Sequence, residues 1–300
     1  MSKVLMIFID GVGIGENDPI KNPFFKFGFN TFTSIFGRIP HLNDQQITIS
    51  NGAVFPIDPL LDVPGIPLSG TGQTSIFCGI NAPRFINQHF GPYPFSTLVP
   101  IIREQNIFAE LMKDGKSVAF ANAYPKIFFD YINSGRRRLS VTTLSCILSG
   151  VYLRKIKDLY QGNALSAEID NRRFVERLNY KLPIIKAELA AKRLLRLSRE
   201  HDFTLFEIFH TDHLGHGRNS EMLIPFHSLL DSFLQSIMQN LPKDTTFLLC
   251  SDHGNYEDLS LKMHTYNPSL AIAFGEGASY LSKRISNLTH IKQALLDLIN

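Results

Sequence analysis

The sequence predicts an α/β fold, with a mostly parallel central sheet flanked by helices. Three observations carry this: short unbroken apolar runs, helical patterns between them, and polar loops at their ends. Strands buried on both faces have no polar side to show, so they read as continuous apolar segments. Five segments fit that description: Val4 to Ile9, Ser117 to Ala121, Phe203 to Phe209, Thr246 to Cys250 and Leu270 to Phe274. Apolar residues recur at helical spacing in Ile107 to Met112, in Ile184 to Leu197, and in His227 to Met238. In the second of these Ile185, Leu189 and Leu197 lie near one face; in the third the stripe is Leu230, Phe233, Leu234 and Ile237. Strands alternating with helices lead to helices packed on a parallel sheet.

With 44% hydrophobic residues among 300, the chain can bury a substantial core. Its net charge of +3 and pI near 8.7 come from scattered basic residues, which argues against nucleic acid or a membrane surface as partner. A small anionic substrate is compatible with that balance. Cys78, Cys146 and Cys250 are far apart, show no metal-type pairing and leave one over from any disulfide, as expected in a reducing compartment. The run Val4 to Ile9 enters Asp10 directly and is too short for a signal-peptide core or a membrane span. A soluble, cytoplasmic protein is therefore expected.

The segment 126–182 reads differently from the rest. It carries Arg136, Arg137 and Arg138, then Arg154 and Lys155, without clear alternation of strand and helix. It is expected to be a small insertion capping a site built by a core of residues 1–125 and 183–300. The arginine run is either solvated or a grip for the non-reacting end of an anionic substrate.

In open α/β sheets ligands sit beyond the carboxyl ends of the strands, where loops converge. Asp10 follows the first apolar run, Asp212 the third and Asp252 the fourth. Asp212 and His216, four apart, can turn toward one metal ion, as can the adjacent pair Asp252 and His253. His264 precedes the last run. Together these supply three carboxylates and three imidazoles without a thiolate, a set suited to Zn²⁺ or Mn²⁺ more than Mg²⁺. Six ligands are too many for one catalytic zinc and suit two open sites. His213, between Asp212 and His216, is expected to face solvent. The segment Ser69-Gly70-Thr71-Gly72-Gln73 opens a helix reaching Cys78, where a hydroxyl and backbone amides can approach an anion. Read alone, it is more simply a Ser/Thr helix cap with glycine punctuation.

The order and spacing of these segments resemble the alkaline phosphatase superfamily, and in detail its cofactor-independent phosphoglycerate mutase and phosphopentomutase branch. Asp10-Gly11-Val12-Gly13, Ser69-Gly70-Thr71-Gly72, Asp212 with His216, Asp252-His253-Gly254-Asn255 and His264-Thr265-Tyr266-Asn267-Pro268 carry the resemblance. It spans residues 1 to about 83 and about 184 to 300, so the segment 126–182 inherits nothing from it. The resemblance implies an alkaline phosphatase-like core binding two divalent ions. One would be held by Asp212, His216 and His264, the other by Asp10, Asp252 and His253 with Ser69 touching it.

It further implies that Ser69, activated by a divalent ion, attacks phosphorus to form a phosphoserine. Thr71 is the competing nucleophile, and Gln73, Asn122 and the amides near Gly70 are candidate donors to the phosphoryl oxygens. Relatives that are mutases shield their intermediate with a sizeable extra domain, which 126–182 is too short to match. The expected activity is therefore hydrolysis of phosphomonoesters or phosphodiesters. A phosphomutase and a catalytically silent metal-binding module are the alternatives, and sulfate or phosphonate esters a minor one.

Overall fold

Side chains of the first strand, β1 (Lys3–Ile9), divide between two cores. Val4, Met6 and Phe8 enter one apolar cluster, whereas Leu5, Ile7 and Ile9 enter another on the opposite face. A strand alternates its side chains with period two, so only a strand covered on both faces needs an unbroken apolar run. The computed structural model describes residues 3–136 and 138–300; Arg137 lies outside the described residues.

The remaining strands are β2 (Ile47–Ile49), β3 (Gly52–Ile57), β4 (Val118–Phe120), β5 (Ala123–Tyr124), β6 (Arg154–Lys155), β7 (Phe203–Ile208), β8 (Thr245–Cys250) and β9 (Ser269–Phe274). Seven of them form one sheet in the order β2-β3-β9-β8-β1-β7-β4, and β5 pairs with β6 separately. All five predicted strands lie in the large sheet, displaced by a residue or two at their ends. β8, β1, β7 and β4 run parallel, with Val4 opposite Phe203 and Thr246. β9 is antiparallel to both β8 and β3, and β2 is antiparallel to β3, so the sheet is mixed.

That reversal matters for the site. Because β9 runs against β8, it begins at the edge where β8 ends, and the loop carrying His264 is delivered to the carboxyl ends of β1, β7 and β8. Isolated bridges fasten it there, between Gly13 and Ser269 and between Gly254 and Thr265.

One face of the sheet is covered by the helices Ser69–Cys78, Val99–Gln105, Ile107–Lys113, Val141–Ser149, Ala278–Arg284 and His290–Ile299. The other carries Ala187–Arg199 and Leu223–Gln239. Ala187–Arg199 starts later than its apolar pattern suggests. Its buried face is Ala190, Ala191, Leu194 and Leu195, and Leu189 is 43% exposed, correcting the predicted stripe. Ile185 is buried ahead of the helix, its amide bonded to the Asp170 carbonyl, so its burial reflects an extended approach rather than a helical face.

The segment 126–182 divides between two environments. Val141–Ser149 packs through Val141, Leu144 and Cys146 into the large cluster against the sheet. Leu159, Ala164, Phe174 and Leu182 instead join Ala123 in a separate small cluster. All three cysteines are buried and free. No helix among the described residues is long and apolar enough to cross a membrane.

Candidate metal centre

Asp10 leaves β1 directly into Gly11, whose φ of +69° is left-handed. A β-carbon at Gly11 would also press on the Asp212 side chain, so glycine is required twice over, by conformation and by space. The β8 exit is tied to this turn by Ser251, whose hydroxyl accepts from the Val12 amide at 2.8 Å and donates to the His253 carbonyl at 3.0 Å. Asp212 lies in the short helix His210–Gly215 after β7, and His216 caps its end.

These loops bring all seven sequence-predicted residues together. His253 Nε2 lies 3.3 Å from Asp10 Oδ1, 3.5 Å from Asp252 Oδ2 and 3.0 Å from Ser69 Oγ. Asp212 is 3.4 Å from the Nε2 atoms of both His216 and His264, which are themselves 3.3 Å apart. Two groups, Asp10 with Asp252 and His253, and Asp212 with His253 and His264, each turn ligand atoms toward a common point.

The donor set fits divalent ions. His264 Nδ1 bonds the Pro67 carbonyl at 2.7 Å and His216 Nδ1 the Lys262 carbonyl at 2.9 Å, which assigns the ring protons to Nδ1 in the neutral rings. The Nε2 lone pairs then face one another and Asp212, an arrangement that needs a cation or extra protons between them. Asp10 Oδ1 and Asp252 Oδ2 are buried without any hydrogen-bond donor, and buried carboxylate oxygens of this kind call for a positive partner.

The electrostatics agree. Burial, reinforced by Asp252, pushes the Asp10 carboxyl up to about 8, and burial likewise raises Asp252. Burial opposes charge on His253, but Asp252 and Asp10 outweigh it and push the imidazole up to about 10. Asp212 goes the other way: burial is overcome by hydrogen bonds from His216 and His264, which hold it below the usual carboxylate range. A divalent ion would keep the carboxylates ionised and the imidazoles neutral.

Ser69 is the first residue of its helix, where the helix dipole favours negative charge. Thr71 is fully buried; its hydroxyl donates to the Leu68 carbonyl at 3.0 Å and accepts from the Phe90 amide at 3.2 Å. The amides of Thr71 and Gly72 are taken by the Phe90 and Leu68 carbonyls. The Asn122 amide is spent on the backbone of Glu207, which makes it a structural bond rather than a donor to substrate. Gln73 lines the cleft and accepts from the Val141 amide through Oε1.

The cleft above Ser69 encloses about 640 Å³ and is bounded by Tyr93, Tyr124, Phe128, Arg138, Arg173 and Arg218 among others. His213 is partly buried and lines it, against the expectation of solvent exposure, because its ring packs beside Phe209 and His210. Of the arginine run, Arg138 reaches the cleft and Arg136 lies over the Tyr131 ring; Arg137 is outside the described residues.

Beside the centre, the buried carboxylates Glu257 and Glu207 were not anticipated. Glu257 accepts from the Gly13 and Asn255 amides, both at 2.8 Å, from the Thr265 hydroxyl and from the Asn267 side chain, so it fastens three ligand-bearing loops together. Glu207, inside β7, accepts from Thr142 at 2.6 Å and is pushed up to about 8 by burial. A charged residue in an otherwise apolar strand is the signal that could have found it.

No curated protein matches the chain in sequence. Solved structures share its fold at low identity. A Pyrococcus horikoshii protein is 12% identical over 100% of this chain and 97% of its own, with a TM-score of 0.58. The alkaline phosphatase of the Antarctic bacterium TAB5 is 14% identical over 99% of this chain and 98% of its own, with a TM-score of 0.55. A cold-active alkaline phosphatase from the psychrophile Shewanella sp. is 11% identical over 98% of this chain and 99% of its own, with a TM-score of 0.52. A family model described as the metalloenzyme superfamily matches residues 2–300. The whole described chain, with its mixed sheet and convergent Asp and His side chains, thus belongs to the metalloenzyme superfamily, that of the alkaline phosphatases.

Proposed function

We propose that the protein is a phosphate-ester hydrolase with Ser69 as nucleophile and two divalent ions, zinc or manganese, as cofactors. Asp212, His216 and His264 would hold one ion, and Asp10, Asp252 and His253 the other. The observation that carries this reading is the 3.0 Å approach of Ser69 Oγ to His253 Nε2, at the point where the Asp10 and Asp252 oxygens also converge. When bound, the ions supply Lewis acidity to a phosphoryl oxygen and lower the pKa of a neighbouring hydroxyl. The helix beginning at Ser69 favours the alkoxide. Ser69 Oγ gives up its proton to water as it bonds to phosphorus, and the P–O bond to the ester oxygen breaks, that oxygen taking up a proton from water to leave as the alcohol. Water then attacks phosphorus and the bond to Ser69 Oγ breaks, restoring the hydroxyl and releasing inorganic phosphate from a monoester or a phosphomonoester from a diester.

The alkaline phosphatases among the fold neighbours support this chemistry by similarity. Three buried thiols fit a reducing compartment, and we place the protein in the cytoplasm on that ground. In the same reading the part of 126–182 around Phe174 acts as the cap, since Arg173 beside it lines the cleft. The test is a screen of phosphomonoesters and phosphodiesters with added Zn²⁺ or Mn²⁺, run beside a coupled phosphomutase assay. Release of inorganic phosphate from monoesters, or of alcohol from diesters, that is lost in Ser69→Ala and Asp252→Ala supports the hydrolase. Isomerised ester without release of phosphate favours the mutase, and bound metal with no turnover on either panel favours a binding role.

A further inference from the structure

The buried face of the helix Ala187–Arg199 is apolar, and its outward face is mainly basic. Lys192, Arg193, Arg196 and Arg199 line a cavity of about 780 Å³ between this helix, the turn after the helix Ile156–Tyr160 and the end of the helix Leu223–Gln239. Glu188 is its one acid among the described residues. The cavity shares no lining residue with the cleft above Ser69, and the helix Ala187–Arg199 covers the opposite face of the sheet from the helix Ser69–Cys78.

Two of these cations are fixed in place rather than spread in solvent. Arg196 Nη2 donates to the Gly162 carbonyl at 2.6 Å and to Asn163 Oδ1 at 2.9 Å, both uncharged acceptors. The Arg193 guanidinium packs against Gly162, where a β-carbon would lie 3.1 Å from Nε, and its Nη1 is enclosed without an acceptor. Among the described residues none of the four basic side chains is in an ion pair. Burial and the neighbouring Arg196 lower the pKa of Arg193, the mark of a cation without a counter-charge. Beside these cations stand the exposed side chains of Tyr160 and Leu189, with the amides of Gln161 and Asn240.

We propose that this cavity is a second binding site whose ligand is a nucleoside di- or triphosphate, its phosphoryl groups held by Lys192, Arg193, Arg196 and Arg199 and its base laid against Tyr160 and Leu189. Guanidinium groups pair with phosphoryl oxygens through parallel hydrogen bonds, and the gain is greatest where no internal carboxylate competes. Four cations against one acid exceed what a single phosphate neutralises, which favours two or three phosphoryl groups. The volume lies within the range of about 300–1,000 Å³ usual for small-molecule sites. A flat base is the part of such a ligand that an exposed tyrosine and leucine would cover. The site does not depend on the reading of Ser69.

Fluorescence anisotropy of pyrene-1,3,6,8-tetrasulfonate, a flat tetraanion without a phosphate ester, tests this on metal-loaded Ser69→Ala protein in about 0.15 M salt. The dye is expected to bind, and ADP to displace it at about a tenth of the concentration that pyrophosphate or AMP requires. Lys192→Gln combined with Arg199→Gln removes two exposed charges of the cavity and should weaken both dye and ADP about tenfold, as should Arg193→Gln alone. Lys283→Gln combined with Arg284→Gln, the same charge change on the helix Ala278–Arg284, should leave both affinities unchanged. A dye that does not bind, or that binds the cavity variants as tightly as the parent protein, overturns the site. Equal weakening by the control pair does so too, since only the general field of the protein would then attract the dye. Displacement by pyrophosphate at the same concentration as ADP overturns the assignment to a nucleotide, and displacement by a glutamate-rich peptide at lower concentration than ADP would transfer the cavity to an acidic protein segment.

Discussion

The imidazole rings of His253 and His264 lie face to face, their centroids 3.7 Å apart and their planes inclined by 15°. The Nε2 of His253 faces Asp10 and Asp252, and that of His264 faces Asp212 and His216, so the two ligand groups share a stacked wall. Elemental analysis of the purified protein is expected to find two divalent ions per chain, and His264→Ala to retain about one. Chelation should lower the melting temperature. Free ion at a hundredfold excess over its Kd stabilises a single site by about 2.7 kcal/mol, so the loss should be plain in a calorimetric scan. A His264→Ala protein that still holds two ions would refute the ligand assignment.

Ser69 and Thr71 lie two residues apart but differ in engagement. Ser69 Oγ faces the histidine and carboxylate group, while the Thr71 hydroxyl is occupied by the backbone of Leu68 and Phe90. Ser69→Ala is expected to lower kcat by roughly a thousandfold or more with metal content unchanged. Thr71→Ala should cost about 1–2 kcal/mol of stability through its lost hydrogen bonds and keep most of the turnover. The opposite pattern in a kinetic and urea-unfolding comparison would transfer the nucleophile to Thr71.

Glu257 touches no predicted ligand, yet it receives donors from the loops after β1 and β8 and from the His264 loop. It is 1% exposed. Glu257→Ala would strand four donors in the interior and should destabilise the protein by about 3 kcal/mol or more, with weakened metal retention. Glu257→Gln should be intermediate, because an amide turns N–H toward one pair of donors. Near-wild-type unfolding and metal content in both variants would show that the loops hold without this carboxylate.

Gly70 is packed so closely against the backbone of Phe90 and Tyr93 that a β-carbon there would collide with the Tyr93 carbonyl. Gly70→Ala must therefore displace the segment that supplies Tyr93 to the cleft. A loss of about 1–3 kcal/mol is expected from such overpacking, together with a raised KM. Unchanged stability and KM would mean that the segment 90–93 moves aside without cost.

The sheet was readable because covering both faces forces continuous apolar runs, as in β1 and β8. The ligand residues were readable because strand ends of this fold place sparse Asp and His side chains at one edge. β2 and β3 were not: one has three residues, and the other contains Pro56, which cannot donate to a ladder and argues against a strand. Val141–Ser149 begins with β-branched residues of modest helix propensity and is helical through its packing against the core. The Glu257 network joins residues that meet only through tertiary structure, and no local pattern announces it. The antiparallel course of β9, on which the position of His264 depends, is likewise set by pairing and not by its apolar run.

In the unfolded chain Asp10 and Glu207 release their protons near pH 4, whereas in the folded, metal-free chain burial delays both to about 8. Between those values the folded state binds more protons, so stability falls as pH rises. His216, raised chiefly by its bond to Asp212, and His253, raised to about 10, lose their contribution in the same direction once the unfolded imidazole deprotonates near 6.5. His210 and His213 oppose this, since burial lowers both, but their contribution grows only up to about pH 6.5 and is then constant. Asp212, lowered, is constant above about pH 4. From pH 7 to 9 every shifted group of the centre therefore acts in one sense, and the melting temperature of chelator-treated protein should decline. Protein loaded with Zn²⁺ or Mn²⁺, its carboxylates held ionised, should show a shallower slope, and Glu207→Gln should flatten the metal-free curve in part. A metal-free melting temperature that is level or rises across that range in scanning calorimetry would contradict the buried, protonated carboxyls on which this account of the centre depends.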